Sequence, residues 1–173
     1  MNDHPTVALL NDKFGTQHCH LVDHHDQMTV TIPKSILLEV LTFLYEDGKS
    51  KNYKQLSDIA GIDYKGYPGD KERPRFALRY QLLNIDENLR IAIKVECAKE
   101  DMSVSTATTL YNGAGWMERE AMEMFGFDFE GHGDKRKLLL NELFDGKFPQ
   151  RKTYPVTGEG ERDSFTPITR ETS

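Results

Sequence analysis

The sequence predicts an α+β domain, with a mainly antiparallel sheet, packed helices and an extended C-terminal segment. Three observations lead to that class. Two stretches, "RFALRYQLL" and "LRIAIKVEC", alternate apolar and polar residues on either side of a short turn. A run rich in leucine, "SILLEVLTFL", places its apolar residues at helical spacing. No strand–helix series repeats along the chain, which argues against a doubly wound nucleotide fold.

Taken in order, Val7, Leu9, Leu10 and Phe14 predict a short helix stopped by Gly15. Met28, Val30 and Ile32 alternate with Thr29 and Thr31, so a strand is expected to end at Pro33. Pro33 then opens the clearest helix, whose Ile36, Leu37, Val40, Leu41 and Leu44 form one apolar face, with Gly48 ending it. "LSDIAGIDYKGYPGDKERP" carries glycines, prolines and a charged run, and is expected to be mostly loop. In the hairpin that follows, Phe76, Leu78, Tyr80 and Leu82 face Leu89, Ile91, Ile93, Val95 and Cys97 across "NIDEN". The segment 101–126 returns to helical spacing, in two pieces separated at Asn112-Gly113. Beyond it come Lys135, Arg136 and Lys137 and then a stretch without periodicity. The domain is thus expected to span 1–155. The polar segment 156–173 lacks an apolar face and cannot bury enough surface to order itself.

With 173 residues, one domain with a sizeable core is expected. A net charge of −6 argues against a general nucleic-acid binder, which needs a basic footprint. No stretch approaches the roughly 20 apolar residues that cross a bilayer, and the start has no secretory pattern. Cys19 and Cys97 form no zinc or iron–sulfur spacing, as suits a reducing compartment facing the cytosol.

Three stretches invite chemistry. "HCHLVDHHD" offers His18, His20, Asp23, His24, His25 and Asp26; a metal site on His18 and His20 is one reading, a polar surface segment the other. "NGAGW" precedes a helix but fits no phosphate-loop pattern, and reads as a helix break. The third is "WMEREAMEMFGFDFEGHG", at 116–133. On a helix Arg119 and Glu123 stand four apart and are expected to pair. Glu118 and Glu120 point to different sides, which excludes a shared general acid–base role. A surface pair contributes only ~0.3–0.5 kcal/mol, too little to account for so many charges. Breaking a desolvated pair costs ~3–5 kcal/mol. Glutamates set among Trp116, Met124 and Phe125 therefore suit a buried interface, with a plain amphipathic helix as the alternative.

These same residues carry a resemblance. Trp116, Glu118-Arg119-Glu120, Glu123-Met124-Phe125-Gly126-Phe127, Phe129, Gly131-His132, Arg136 and Leu138-Leu139 resemble the signature of the 30 kDa subunit family of respiratory complex I, the proton-pumping NADH:quinone oxidoreductase. "LSDIAGIDY", "RFALRYQL", "SVSTATTLYNGAGWMERE" and "GKFPQRKTYP" follow in the family's order. The chain departs from the pattern in having Glu123 for Asp, Gly133 for Pro, and Gln150 to Tyr154 in place of the usual text.

The resemblance implies a peripheral-arm subunit that binds no cofactor itself. NADH, FMN, iron–sulfur clusters and quinone belong to the assembled complex. It implies the 49 kDa-type and iron–sulfur subunits as partners, with the membrane arm touched only indirectly. It also implies a place on the cytoplasmic face of a bacterial inner membrane, and a 156–173 segment that docks on neighbours. Trp116, Glu118, Arg119, Glu120, Glu123, Phe125, Gly126, His132 and Arg136 become the expected partner interface, with no catalytic residue. Two alternatives stand beside this: the equivalent subunit of a membrane-bound hydrogenase or formate-hydrogen lyase, and a free-standing metal-dependent hydrolase built on the histidines.

Overall fold

Alternation along the central hairpin becomes β4 (Phe76–Asn84) and β5 (Leu89–Cys97), paired antiparallel with Tyr80 opposite Ile93 and Leu78 opposite Val95. The computed structural model describes residues 4–16, 20–24 and 27–160. Around the hairpin it adds α1 (Pro5–Phe14), β1 (His20–His24), β2 (Gln27–Ile32), α2 (Leu37–Tyr45) and β3 (Gln55–Asp63). After the hairpin come β6 (Ser103–Ser105), α3 (Ala114–Phe125) and β7 (Asp128–Glu130). The sheet order is β1-β2-β5-β4-β3, antiparallel throughout except for the parallel pair β2–β5. The expected α+β class with a mainly antiparallel sheet holds.

Register fixes which face is dry, because residues opposite one another across a sheet share a face. Val30 lies opposite Ile93, Ile93 opposite Tyr80, and Tyr80 opposite Ile59. This four-strand row is buried from end to end. Leu37, Val40, Leu41 and Leu44 of α2 and Leu10 of α1 join the same core cluster. Burying a Leu, Ile or Phe side chain contributes about 1.5–3 kcal/mol, so rows of this kind supply most of the drive to fold.

The structure corrects three expectations. Residues 55–63, expected to be loop, form β3. Among the described residues this edge strand pairs only with β4, and along it only Ile59 and Asp63 are buried, so the apolar alternation that marks a strand is missing. The first half of segment 101–126 is not helical. Val104, Ala107 and Tyr111 are buried at spacings that imitate a helix, but a short strand and successive turns place them there. Finally, β6 and β7 are a small parallel pair joined across α3, a connection the sequence pattern did not predict. The short strand β1 was also not expected; it pairs with β2 as a hairpin.

α3 lies close against β3, and Gly61 is the reason it can. A Cβ at Gly61 would sit 2.4 Å from a ring carbon of Phe125. Only a residue without a side chain lets helix and strand approach so near. None of the helices among the described residues is long and apolar enough to cross a membrane.

Candidate functional site: the α3 clasp

The charged helix stands at the junction of β3, β6, β7 and the irregular segment 131–155. Its side chains divide sharply by position. Glu118, Ala121 and Phe125 turn inward with Ala114, while Trp116 and Glu120 remain exposed.

Glu118 is fully buried. Its Oε2 accepts from the Thr106 hydroxyl at 2.6 Å and its Oε1 from the Ala107 backbone N–H at 2.7 Å. It thereby ties the first turns of α3 to the chain leaving β6. Burial pushes its carboxyl above the ordinary value, and the Thr106 and Ala107 bonds and nearby His132 oppose that rise. His132 Nε2 lies 3.8 Å from Glu118 Oε2 and 3.1 Å from the Gly115 carbonyl oxygen. Its Nδ1 accepts from the Asp134 N–H at 3.0 Å, which leaves the Nε2 hydrogen to be donated to Gly115. His132 thus fastens the turn after β7 to the start of α3.

Glu123 is the second internal acceptor. Both its oxygens are taken by backbone N–H groups of Leu138, Leu139 and Leu140, at 2.8 to 3.3 Å. Arg119 grips the same loop by its other polarity, donating to the carbonyls of Arg136 at 2.8 Å and Lys137 at 2.9 Å. Its guanidinium also stands 3.4 Å from Asp134. The expected Arg119–Glu123 pair is therefore not made: each of the two holds loop backbone instead. Asp134 is secured in turn by Arg136, whose guanidinium and amide hold its carboxyl well below the usual carboxylate range.

The helix ends at Gly126, which takes the left-handed conformation at φ 80° and accepts the strap formed by residues 148–152. Arg151 donates to the Phe125 carbonyl at 2.6 Å and lies over the Phe148 ring at 4.1 Å. A cation at this end also opposes the partial negative charge of the helix C-terminus. Gln150 N–H donates to the Met124 carbonyl.

The far end of the strap meets Asp63, which sequence reasoning missed. Its carboxylate accepts from Arg75 Nε at 2.9 Å, Arg75 Nη2 at 2.8 Å, Lys65 N–H at 3.0 Å and Lys152 N–H at 2.9 Å. Burial alone would raise this carboxyl, but Arg75 and the two amides outweigh it and hold it down at about 2. A folded value below the unfolded one contributes stability that is present above about pH 4 and lost as pH falls through 2. The contribution is on the order of 2 kcal/mol. Acid unfolding followed by circular dichroism is expected to steepen in that window, and Asp63→Asn should flatten it. A wild-type curve level from pH 4 to pH 2 would contradict this account. Nothing in the sequence marked Asp63, because it lay in a stretch expected to be loop and its arginine stands twelve residues on, brought beside it only by the pairing of β3 with β4.

Of the residues expected at a partner surface, Glu118, Arg119, Glu123, Phe125, Gly126 and His132 are engaged within the chain. The desolvation that the sequence assigned to another polypeptide is supplied by residues 106–107 and 131–155. Trp116 remains 62% exposed, braced by the Arg119 guanidinium at 5.3 Å from its ring. Glu120 and Arg136 are exposed as well. Cys97 is buried, and burial pushes its thiol up to about 11. No group of three His, Cys, Asp or Glu side chains is arranged to hold a metal among the described residues. The histidine cluster expected at His18, His20, Asp23, His24, His25 and Asp26 lies outside the described side chains.

Comparison with known proteins bears on the same stretch. The family model "Respiratory-chain NADH dehydrogenase, 30 Kd subunit" matches residues 30–160. The C-type subunit of the NADH-quinone oxidoreductase of Citrifermentans bemidjiense is 36% identical over 152 residues, covering 88% of this chain and 89% of that protein. Among solved structures, the trypsin-resistant fragment (1-134) of Nqo5 superposes with a TM-score of 0.65 at 28% identity, covering 75% of this chain and 98% of the fragment. A chain of a membrane-bound sulfane sulfur reductase, an archaeal respiratory membrane complex, superposes with a TM-score of 0.71 over 90% of this chain and 87% of its own length; at 19% identity it shows the fold alone. With a family model matching 30–160 and a relative 36% identical over most of both lengths, the chain belongs to the respiratory-chain NADH dehydrogenase 30 Kd subunit family.

Proposed function

We propose that the chain serves as the 30 kDa-type subunit of a proton-translocating NADH:quinone oxidoreductase. In this reading it is a scaffold in the peripheral arm on the cytoplasmic face of the membrane. It carries no catalytic centre; NADH, FMN, iron–sulfur clusters and quinone are handled by other subunits. The 49 kDa-type and iron–sulfur subunits are its neighbours. Segment 156–173 reaches along them; its polar, Gly- and Pro-containing composition supports ordering on contact, although 161–173 lie outside the described residues.

The observation that carries this reading is the contrast within α3. The helix is fastened on its inner side and along the 134–140 loop, yet it keeps a large aromatic in water. Tryptophan is among the side chains enriched at the energetic centres of interfaces, and here it stands on a helix fastened from within. The clasp keeps it in place before any partner arrives, which lowers the entropy cost of docking.

Trp116→Ala tests the proposal. The isolated variant is expected to lose no more than about 1 kcal/mol of stability, the scale of its exposed contact with Arg119. Its affinity for co-expressed partner subunits should fall about thirtyfold, equivalent to about 2 kcal/mol. Native gels and pull-downs read the second effect. Wild-type co-purification would remove Trp116 from the interface.

A further inference from the structure

We infer that the outer edge of β3, with the cleft beside it, receives an extended segment of a partner protein that carries a lysine or arginine. The inference deepens the scaffold reading above by naming the kind of segment that docks next to Trp116 and Glu120.

β3 ends the sheet, and among the described residues no strand pairs with its outer edge. Exposed edges are normally blunted by charge, proline or a bulge. Here the bulge, between Leu56 and Asp58, and the charge of Asp58 itself sit near the start of the strand. Beyond them Ile59-Ala60-Gly61-Ile62 offers an uncharged run without proline. Such an edge can accept a further strand through backbone hydrogen bonds.

Beside that run a cleft of about 140 Å³ opens between β3 and α3. Asp58 and Glu120 both line it, together with the apolar Ala121, Met124 and Phe125. The volume suits a group about the size of benzene, enough for a long side chain to enter. Neither carboxylate has a hydrogen bond or ion pair to any described residue, while Asp63, Glu118, Glu123 and Asp134 nearby are all engaged. Two carboxylates unpaired among the described residues, beside apolar side chains, match a side chain with an aliphatic stem and a cationic head. In an added strand, every second side chain would face the cleft wall, so one basic residue suffices.

The test uses the full-length chain, labelled with nitrogen-15, and three synthetic peptides. The first is Ac-Thr-Val-Lys-Val-Thr-Val-NH2, the second has Glu in place of Lys, and the third repeats the first with its alternate backbone nitrogens methylated. The lysine peptide is expected to shift the amide signals of 58–62 and slow their hydrogen exchange. It should bind at least tenfold more tightly than the glutamate peptide, and Asp58→Asn with Glu120→Gln should erase that preference. The methylated peptide should lose binding, since it can no longer donate to the edge. Equal binding of the lysine and glutamate peptides would overturn the inference, as would shifts confined to other elements. So would an edge already protected in the free chain by its own residues 161–173. Because the probes are free peptides, these results stand apart from the Trp116→Ala pull-down; peptide binding with unaltered Trp116→Ala assembly would sink only the Trp116 docking site.

Discussion

Replacing Glu118 with alanine is expected to lower stability by about 2–4 kcal/mol. The Ala107 N–H loses its acceptor in a buried site, an orphaned donor that costs about 1–3 kcal/mol, while the Thr106 hydroxyl loses its charged acceptor and keeps only the Thr108 hydroxyl at 2.8 Å. Relief from burying a carboxylate offsets part of that sum. For a domain of this size the melting temperature should drop by roughly 5–15 °C. Glu118→Gln keeps an acceptor for Ala107 and a polar partner for Thr106, so its loss should stay within about 1 kcal/mol. The pair of variants also separates by pH. Because burial raises the folded carboxyl above its unfolded value, the native state holds this proton more tightly. Wild type is therefore most stable relative to Glu118→Gln below the unfolded value of about 4.3, and it loses that advantage as pH rises through the folded value. This is the opposite sense to Asp63, whose contribution fades on acidification. Urea titrations of both proteins across pH 4 to 8 would read the trend; parallel curves would show that Glu118 titrates as it does in the unfolded chain.

Gly126→Ala is the second large effect. The residue sits at φ 80° and ψ 31°, where a side chain costs about 1–2 kcal/mol. An added Cβ would also come within 2.5 Å of Arg151 Nη2 and 2.7 Å of the Phe148 ring. The strap must then move away, giving up the Arg151 bond to the Phe125 carbonyl. Together the two costs amount to about 2–4 kcal/mol. Trypsin should cleave at Lys147, Arg151 and Lys152 faster in the variant than in wild type, because the strap spends more time released. Gly126→Asn separates the causes: asparagine tolerates the left-handed conformation but still carries a Cβ, so it should release the strap with less loss of global stability. An alanine variant that melts and digests like wild type would mean that the strap does not depend on this close approach.

Both effects arise in a stretch whose importance was legible while its wiring was not. Trp116 to His132 stood out because charges crowded among aromatics need desolvated partners. The sequence suggested another polypeptide as the source. In the folded chain the source is local to the domain, since Glu118 reaches the turn after β6 and Glu123 reaches a loop fifteen to seventeen positions ahead. The spacing rule that paired Arg119 with Glu123 is sound for an exposed helix, where a side chain four residues away is the nearest opposite charge. Here backbone groups of residues 136–140 lie closer and present both polarities at once.

The elements show the same division. α2 and the β4–β5 hairpin were legible because each buries one face and leaves the other partly wet, which writes a period of 3.6 or 2 into the residues themselves. β3 was not, since an edge strand held by one neighbour needs little apolar pattern of its own. Residues 103–111 misled because three buried positions fell at helical intervals while the backbone turned through a strand and bends.

The amino-acid sequence by itself determined the α+β class, the apolar faces of α2 and of the β4–β5 hairpin, and the membership of the family, all of which rest on side-chain identities and their local order. Only the tertiary structure decided where Glu118, Arg119, Glu123 and Asp63 spend their hydrogen bonds. Their partners are largely main-chain N–H and C=O groups, which nearly every residue carries. No side chain marks such a partner in advance; proximity in the folded chain selects it.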